Sequence, residues 1–150
     1  MKVVLQRVSS ATVSVSSEII SRIESGFLIL LGIEDADTRD DLIWLVAKIA
    51  RMRVFDDADG KMNHSLIDTG GEALVVSQFT LHASTRKGNR PSFTRAARPD
   101  HAEPLYEEFC LALSNELGKP VGKGRFGAMM EIQLLNNGPV TIVIDSQLRE

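Results

Sequence analysis

The hydroxyls with a claim to chemistry are Ser77 and Thr80, in the run Val75-Val76-Ser77-Gln78-Phe79-Thr80-Leu81. A hydroxyl becomes a nucleophile only when a base takes its proton. No base accompanies this run, and its pattern is not a nucleophile elbow. Hydroxyls that satisfy nearby backbone at a strand end are the plainer reading. Cys110 follows Phe109 in an amphipathic stretch, again without a base, and reads as a structural thiol. His64, His82 and His101 lack metal-ligand spacing to one another or to Cys110. His64 and His101 read as surface or helix-start residues, whereas His82 adjoins the Ser77 run and is read as facing a ligand. A second segment, Asn136-Asn137-Gly138-Pro139-Val140-Thr141, reads as a tight turn between two apolar runs. Neither segment holds a full set of groups for side-chain catalysis. Together they point to a site built from backbone.

Two other motifs fail their context tests. Gly122-Lys123-Gly124-Arg125-Phe126-Gly127 matches G-x-G-x-x-G, but it follows a predicted helix and precedes a strand, the reverse of a dinucleotide site. A loop with Lys123 and Arg125 facing phosphate is the better reading. Asp57-Ala58-Asp59-Gly60 resembles part of a calcium loop, whose template would put the first acid at Phe55 and the last at Leu66. An ordinary Asp-Gly turn fits better.

The chain has 150 residues, of which 43% are hydrophobic and 25% charged, as expected for one soluble domain over residues 1–150. Its net charge of −3 excludes a polycation, so nucleic-acid contact needs a local basic patch. A single cysteine excludes an internal disulfide and fits a reducing compartment. No signal-peptide pattern or membrane-spanning run is expected, and the expected location is the cytoplasm.

The elements that must position the two segments follow from periodicity. Residues 2–8, 11–15 and 18–23 read as strands. Phe27 to Ile33 is apolar on both faces and reads as a central strand. A helix is expected from near Thr38, with Leu42, Leu45, Val46, Ile49 and Met52 on its buried face. Val54-Phe55 reads as extended, Leu66-Ile67 as a short strand, and Ala73 to Gln78 as another central strand. A long polar loop spans about 82–99. A second helix starts near Pro99, buries Leu105, Tyr106, Phe109, Leu113 and Leu117, and stops at Gly118. Met129–Leu135 and Val140–Ile144 read as two strands joined by a hairpin at 136–139. Proline is unusual at that point because it removes a backbone donor. The predicted class is α/β: a curved, mostly antiparallel, barrel-like sheet system with two packed helices.

Arg86, Lys87, Arg90, Arg95 and Arg98 form a run without an intervening acid, in a chain that is acidic overall. A solvated loop is the ordinary explanation. The asymmetry favours contact with a polyanion, and the loop starts directly after the Ser77 run.

These residues resemble the D-aminoacyl-tRNA deacylase family over essentially the whole chain. The likeness rests on Leu5-Gln6-Arg7-Val8, Ala11-Thr12-Val13, Gly60-Lys61-Met62-Asn63, the run from Val75 to Leu81, Gly88-Asn89-Arg90-Pro91-Ser92-Phe93, and Gly138-Pro139-Val140-Thr141. Ser84 and Asn137 stand where many members would carry a small acidic residue. The resemblance implies a hydrolase that cleaves the ester between a D-amino acid and the tRNA 3′ end. It also implies action on glycine mischarged on tRNA(Ala), and rejection of L-esters. It implies a homodimer in which a Gly138-Pro139 cis peptide enters the partner's pocket. Ser77, Gln78, Phe79 and Thr80 would form the pocket largely through main-chain atoms, with Gln78 and Phe79 N–H groups facing the ester. The 2′-hydroxyl of the terminal adenosine would help to activate water. Arg7, Leu81, His82, Arg86, Lys87, Arg90, Asn136 and Val140 would bind substrate or tRNA. No cofactor, metal or membrane is implied. Two rival readings stand: a non-enzymatic nucleic-acid-binding module, which gives the Gly138-Pro139 segment no role, and a hydrolase of another ester with Thr80 as nucleophile.

Overall fold

Strand β1 (Lys2–Val15) serves two cores in succession, and this organises the sheet. In a computed structural model describing residues 1–149, Val3 and Leu5 point toward the helices, while Val8, Ala11 and Val13 point into the curl of the sheet. The change of side coincides with register shifts between Gln6 and Ser10. Because side chains alternate along a strand, an extra residue swaps the buried set from one face to the other. What the sequence shows as two strands, 2–8 and 11–15, is therefore one strand interrupted by bulges.

β1 pairs antiparallel with β2 (Glu18–Ile23) and β3 (Gly26–Gly32) along one edge, and with β8 (Glu131–Asp145) along the other. β3 continues in parallel to β6 (Glu72–Ser77), and β6 to β7 (Gly122–Lys123), a short strand inside the expected glycine-rich loop. β4 (Phe55–Asp56) and β5 (Met62–His64) form a separate small ribbon. β3 and β6 are buried on both faces. Phe27, Ile29, Leu31, Ala73 and Val75 face the helices, and Leu28, Leu74 and Val76 face the interior. The sheet curls until β7 approaches β2. A Cβ added at Gly122 would lie 2.5 Å from Ser21 Oγ, so glycine permits that approach. The result is the expected α/β class with a nearly closed, barrel-like sheet.

Helix α1 (Arg39–Arg51) starts at an N-cap Thr38, with Asp41 completing a capping box. It buries Leu42, Leu45, Val46 and Ile49. A second helical segment, α2 (Leu66–Thr69), occupies the predicted strand at Leu66-Ile67. Ser65 and Asp68 cap each other there, and Gly70 ends the turn in the left-handed region at φ 61°. Local capping outweighs the extended preference of two apolar residues. Helix α3 (Pro99–Leu117) ends at Gly118 as predicted and buries Tyr106, Phe109, Cys110 and Leu113 against the sheet. Among the described residues the α-helices thus number three rather than two.

Burial pushes the Cys110 thiol up to about 12 from its ordinary 9.0. The neutral thiol is the form the core accepts, so its stabilisation is complete below pH 9 and is lost between pH 9 and 12. Burial raises Tyr106 as well, from its ordinary 10.0. Urea unfolding should therefore show stability falling by about 1 kcal/mol more between pH 8 and pH 10 in the parent than in Cys110→Ala. An identical fall in the two proteins would show that Cys110 is not the titrating group.

Candidate active site

β6 ends at Ser77, and the chain turns at once into a 3-10 helix, Phe79–His82. A cavity of about 680 Å³ opens beside this turn. Ser77, Gln78 and Phe79 form one wall, Phe93, Ala97 and Arg98 a second, and Phe126, Met129 and Met130 a third. Phe79 and Phe93 meet edge-on with ring centroids 5.2 Å apart. Among the described residues, the lining contains no carboxylate, imidazole, thiol or amine, and Arg98 is its one charged residue.

Ser77 and Gln78 are the polar residues of this wall. Gln78 N–H donates to Leu31 O at 2.8 Å, so it is not free for a ligand. This corrects the expectation that Gln78 offers its N–H to an ester. The open donors at the start of the 3-10 turn are those of Phe79 and Thr80. The Gln78 side-chain amide donates to Thr80 Oγ1. An amide donor cannot take a proton, so Thr80 has no activating base there.

His82 corrects a second expectation. It is 3% exposed, with neither ring nitrogen hydrogen-bonded, and does not face a ligand from the surface. The turn winds it over the end of β3, where a Cβ on Gly32 would meet its Cδ2 at 3.1 Å. Nothing in the sequence distinguishes this from an ordinary polar loop. Leu81 is half-buried in the same turn.

The Gly138-Pro139 segment is not a hairpin. β8 runs continuously through it, paired with β1 on both sides. Gln6 faces Thr141 and Val8 faces Asn136, so two steps along β1 are matched by five along β8. The excess is accommodated as an outward excursion, with residues 135–139 all exposed. The Gly138-Pro139 peptide is cis, as expected. Gly138 has φ 129°, which disfavours an L-side chain, and a Cβ there would lie 2.9 Å from Val140 Cγ2.

Arg7 sits under this excursion and is 6% exposed. Its Nε donates to Asn137 O at 3.0 Å, and its Nη1 donates to Val54 O at 2.6 Å and Asp56 Oδ1 at 3.1 Å. Arg7 is therefore a bracket between the β4 ribbon and the β8 excursion rather than an exposed cation. Val140 is 8% exposed and anchors the far end of the excursion in the helix-facing core. Asn136 is exposed at its near end. Within one chain, the structure does not bring this segment to the cavity. Ser77 lies in register with Leu31 and thus with Val3, whereas Gly138 lies beside Arg7. Four residues along β1 correspond to roughly 13 Å.

The polar loop is more ordered than its composition implies. Ser84 and Ser92 exchange backbone hydrogen bonds of 2.7 and 2.9 Å, so Arg86, Lys87 and Arg90 project from the exposed tip of a closed loop. Arg95 instead pairs with the mostly buried Glu34 at 2.8 Å, and Arg98 lies 4.0 Å from Asp100. The loop therefore presents three cations at its tip and ties down its base.

Replacing Arg7 with Ala would leave Val54 O and Asn137 O without their charged donor. The expected loss is about 2–4 kcal/mol in urea unfolding, because charge-assisted bonds are among the stronger ones and the bond to Val54 O is buried. Hydrogen exchange should loosen at residues 136–141 more than in α3. A loss below about 0.5 kcal/mol would mean that Arg7 bears no such weight.

The family model described as D-Tyr-tRNA(Tyr) deacylase matches residues 4–145. A protein of Parabacteroides distasonis called D-aminoacyl-tRNA deacylase is 56% identical over 150 residues, covering 100% of both chains. One of the same name from Phocaeicola vulgatus is 58% identical over the same span, again 100% of each. Among solved structures, the c-Myc DNA unwinding element binding protein superposes with a TM-score of 0.90 at 42% identity, covering 97% of this chain and 98% of that one. A probable eukaryotic D-amino acid tRNA deacylase shares the fold with a TM-score of 0.82 at 20% identity, covering 95% and 97%. With a family match over nearly its full length and relatives above half identity end to end, this chain belongs to the D-Tyr-tRNA(Tyr) deacylase family.

Proposed function

We propose that this protein hydrolyses the ester joining a D-amino acid to the 3′ end of a tRNA, releasing the free amino acid and the tRNA. The observation that carries the reading is the cavity at the end of β6, whose lining is largely apolar, includes the start of the 3-10 turn at Phe79 and, among the described residues, holds no side-chain base. Such a site stabilises charge on an ester oxygen through the Phe79 and Thr80 N–H groups. With no side-chain base at the site, the 2′-hydroxyl of the terminal adenosine, which arrives with the substrate, would help to orient and polarise the attacking water. The cations of Arg86, Lys87 and Arg90 suit the phosphate backbone of the same tRNA.

The working unit in this proposal is a homodimer. Within one chain the Gly138-Pro139 excursion protrudes and lies away from the cavity, and the neighbouring Leu135 and Val143 of β8 are 61% and 63% exposed. A second copy packed on β8 would cover these side chains and receive the excursion in its cavity. Backbone at that place would collide with the Cβ of an L-residue and leave a D-side chain free. Glycine has no Cβ, so glycyl-tRNA would also be cleaved, including glycine mischarged on tRNA(Ala).

The decisive assay compares D- and L-tyrosyl-tRNA as substrates. D-ester hydrolysis should be faster by at least about 10²-fold, the scale of steric discrimination combined with lost alignment. Equal rates would end the proofreading assignment. Thr80→Ala should remain within about 10-fold of the parent, since no group activates that hydroxyl, whereas loss of a true nucleophile costs about 10⁴-fold or more. Gly138→Ala should lower D-ester hydrolysis or blur the D/L difference. Neutralising Arg86, Lys87 and Arg90 together should weaken tRNA binding and flatten its salt dependence. An unchanged salt slope would assign the loop tip to solvent. Light scattering should give a dimer mass, and a monomeric active protein would place the chiral wall elsewhere.

A further inference from the structure

Two walls of the cavity are tied to one short segment, the end of β3 and the residues that follow it. Leu31 O accepts from Gln78 N at 2.8 Å and so fixes the turn that carries Phe79. Ile33 O accepts from Ala97 N at 2.9 Å, and Glu34 forms an antiparallel bridge with Ala96. Ala96 N in turn donates to Phe93 O at 3.0 Å, closing a β-turn from Phe93 to Ala96. Arg95 sits in that turn and reaches back, its Nη2 donating to Glu34 Oε2 at 2.8 Å. The Glu34 side chain is 10% exposed and that of Arg95 62%. Among the described residues, Arg95 is the one cation paired with Glu34. Glu34 is held by a turn of its own: its N–H donates to Asp37 Oδ2 at 2.8 Å, and its O accepts from Asp37 N at 3.0 Å.

We infer that Arg95 is a positioning residue for the hydrolysis proposed above, a reading on which this inference rests: paired with Glu34, it sets the Phe93 wall against Phe79 and does not meet the phosphates of tRNA. Its place in a run of loop cations suggests the opposite, a phosphate contact like Arg86, Lys87 and Arg90. The geometry separates it from them. Backbone bonds at Ala96 and Ala97 hold the turn at its end, and the Arg95 side chain holds it at its crown. Phe93 opens that turn, and its ring meets Phe79 edge-on at 5.2 Å. Phe79 in turn begins the 3-10 helix whose backbone donors would face the ester. A displaced Phe93 turn therefore reshapes the space in which the ester must be aligned, and misplacement by about 1 Å lowers rates steeply. A carboxylate as buried as Glu34 tolerates the loss of its counter-charge poorly. Removing one partner of such a pair does more damage than replacing both.

The test measures steady-state hydrolysis of D-tyrosyl-tRNA, and the salt dependence of tRNA binding, in the full chain and in Arg95→Met, Glu34→Gln and the double variant. In Arg95→Met, kcat should fall by about 10-fold or more, while KM and the salt slope stay close to the parent's. Adding Glu34→Gln should recover part of that loss, because no unpaired carboxylate then remains. Arg95→Lys, which keeps the charge, should lose less than Arg95→Met. A raised KM and a flatter salt slope with an unchanged kcat would make Arg95 a phosphate contact and overturn the inference. A double variant no more active than Arg95→Met would overturn it too. If Arg95→Met does not fold, Glu34→Gln decides: kcat should fall with KM unchanged, whereas a phosphate-binding Arg95 freed from its partner would lower KM and refute the positioning role. Hydrogen exchange reads the wall without any substrate. The Ala96 and Ala97 amides should exchange at least about 10-fold faster in Arg95→Met than in the parent. Equal exchange would overturn the inference. A parent that leaves D-tyrosyl-tRNA intact while these amides respond would end the proposed function and leave the Arg95 tether standing.

Discussion

The uneven pairing of β1 with β8 is the constraint from which the rest of the arrangement follows. Where Gln6 to Val8 span two steps, Asn136 to Thr141 span five, and a pleated ladder has no place for the excess. The surplus must leave the sheet. It leaves outward, because the opposite side holds Arg7 and the core around Val140. The guanidinium makes this stable by bonding carbonyls of both the excursion and the β4 ribbon. Gly138 completes the path with a backbone conformation and a closeness to Val140 that a side chain would obstruct. A protruding, well-held piece of backbone is thus a direct product of register.

The cavity follows from a different feature of the same sheet. β3 and β6 are buried on both faces, which places the end of β6 between two cores and makes Ser77–Phe79 a rigid rim. Hydrogen bonding from Gln78 to Leu31 fixes the first residue of the turn, and among the described residues the next two N–H groups have no backbone acceptor. Hydrolysis at such a site, as proposed, would rely on electrostatic preorganisation rather than on a nucleophile. This is consistent with Cys110, whose buried thiol stays protonated at neutral pH, and with Thr80, whose neighbour is an amide.

Charge is distributed to match. The chain is acidic overall, yet a loop closed by the Ser84–Ser92 bridge lifts Arg86, Lys87 and Arg90 clear of any carboxylate partner among the described residues. Arg95, in the same run, does the opposite job by pinning the loop to Glu34. Equal charges in sequence are therefore placed differently, one set at the exposed loop tip, where the proposed tRNA contact would use it, and one in the fold.

Helices α1 and α3, the two-faced apolar strands β3 and β6, and the turns at Asp57–Gly60 and Gly118 were legible in the sequence because local signals act over a few residues: periodicity, caps and glycine stops. The absence of a base near Ser77 or Thr80 was legible for the same reason. The hairpin reading at 136–139 was wrong because Asn-Gly favours a turn only when the flanking strands pair with each other, and here both pair with β1. His82 was expected to face a ligand and Arg7 to bind substrate or tRNA, and neither expectation included burial because a polar side chain carries no local mark of it. What buries them is the winding of the 3-10 turn over Gly32, and the meeting of β4, β8 and β1 around one guanidinium. The sequence by itself determined most of the elements and the family resemblance. Register, the outward excursion and the choice of open backbone donors were decided only by tertiary structure, because each depends on hydrogen bonds between residues far apart in the chain.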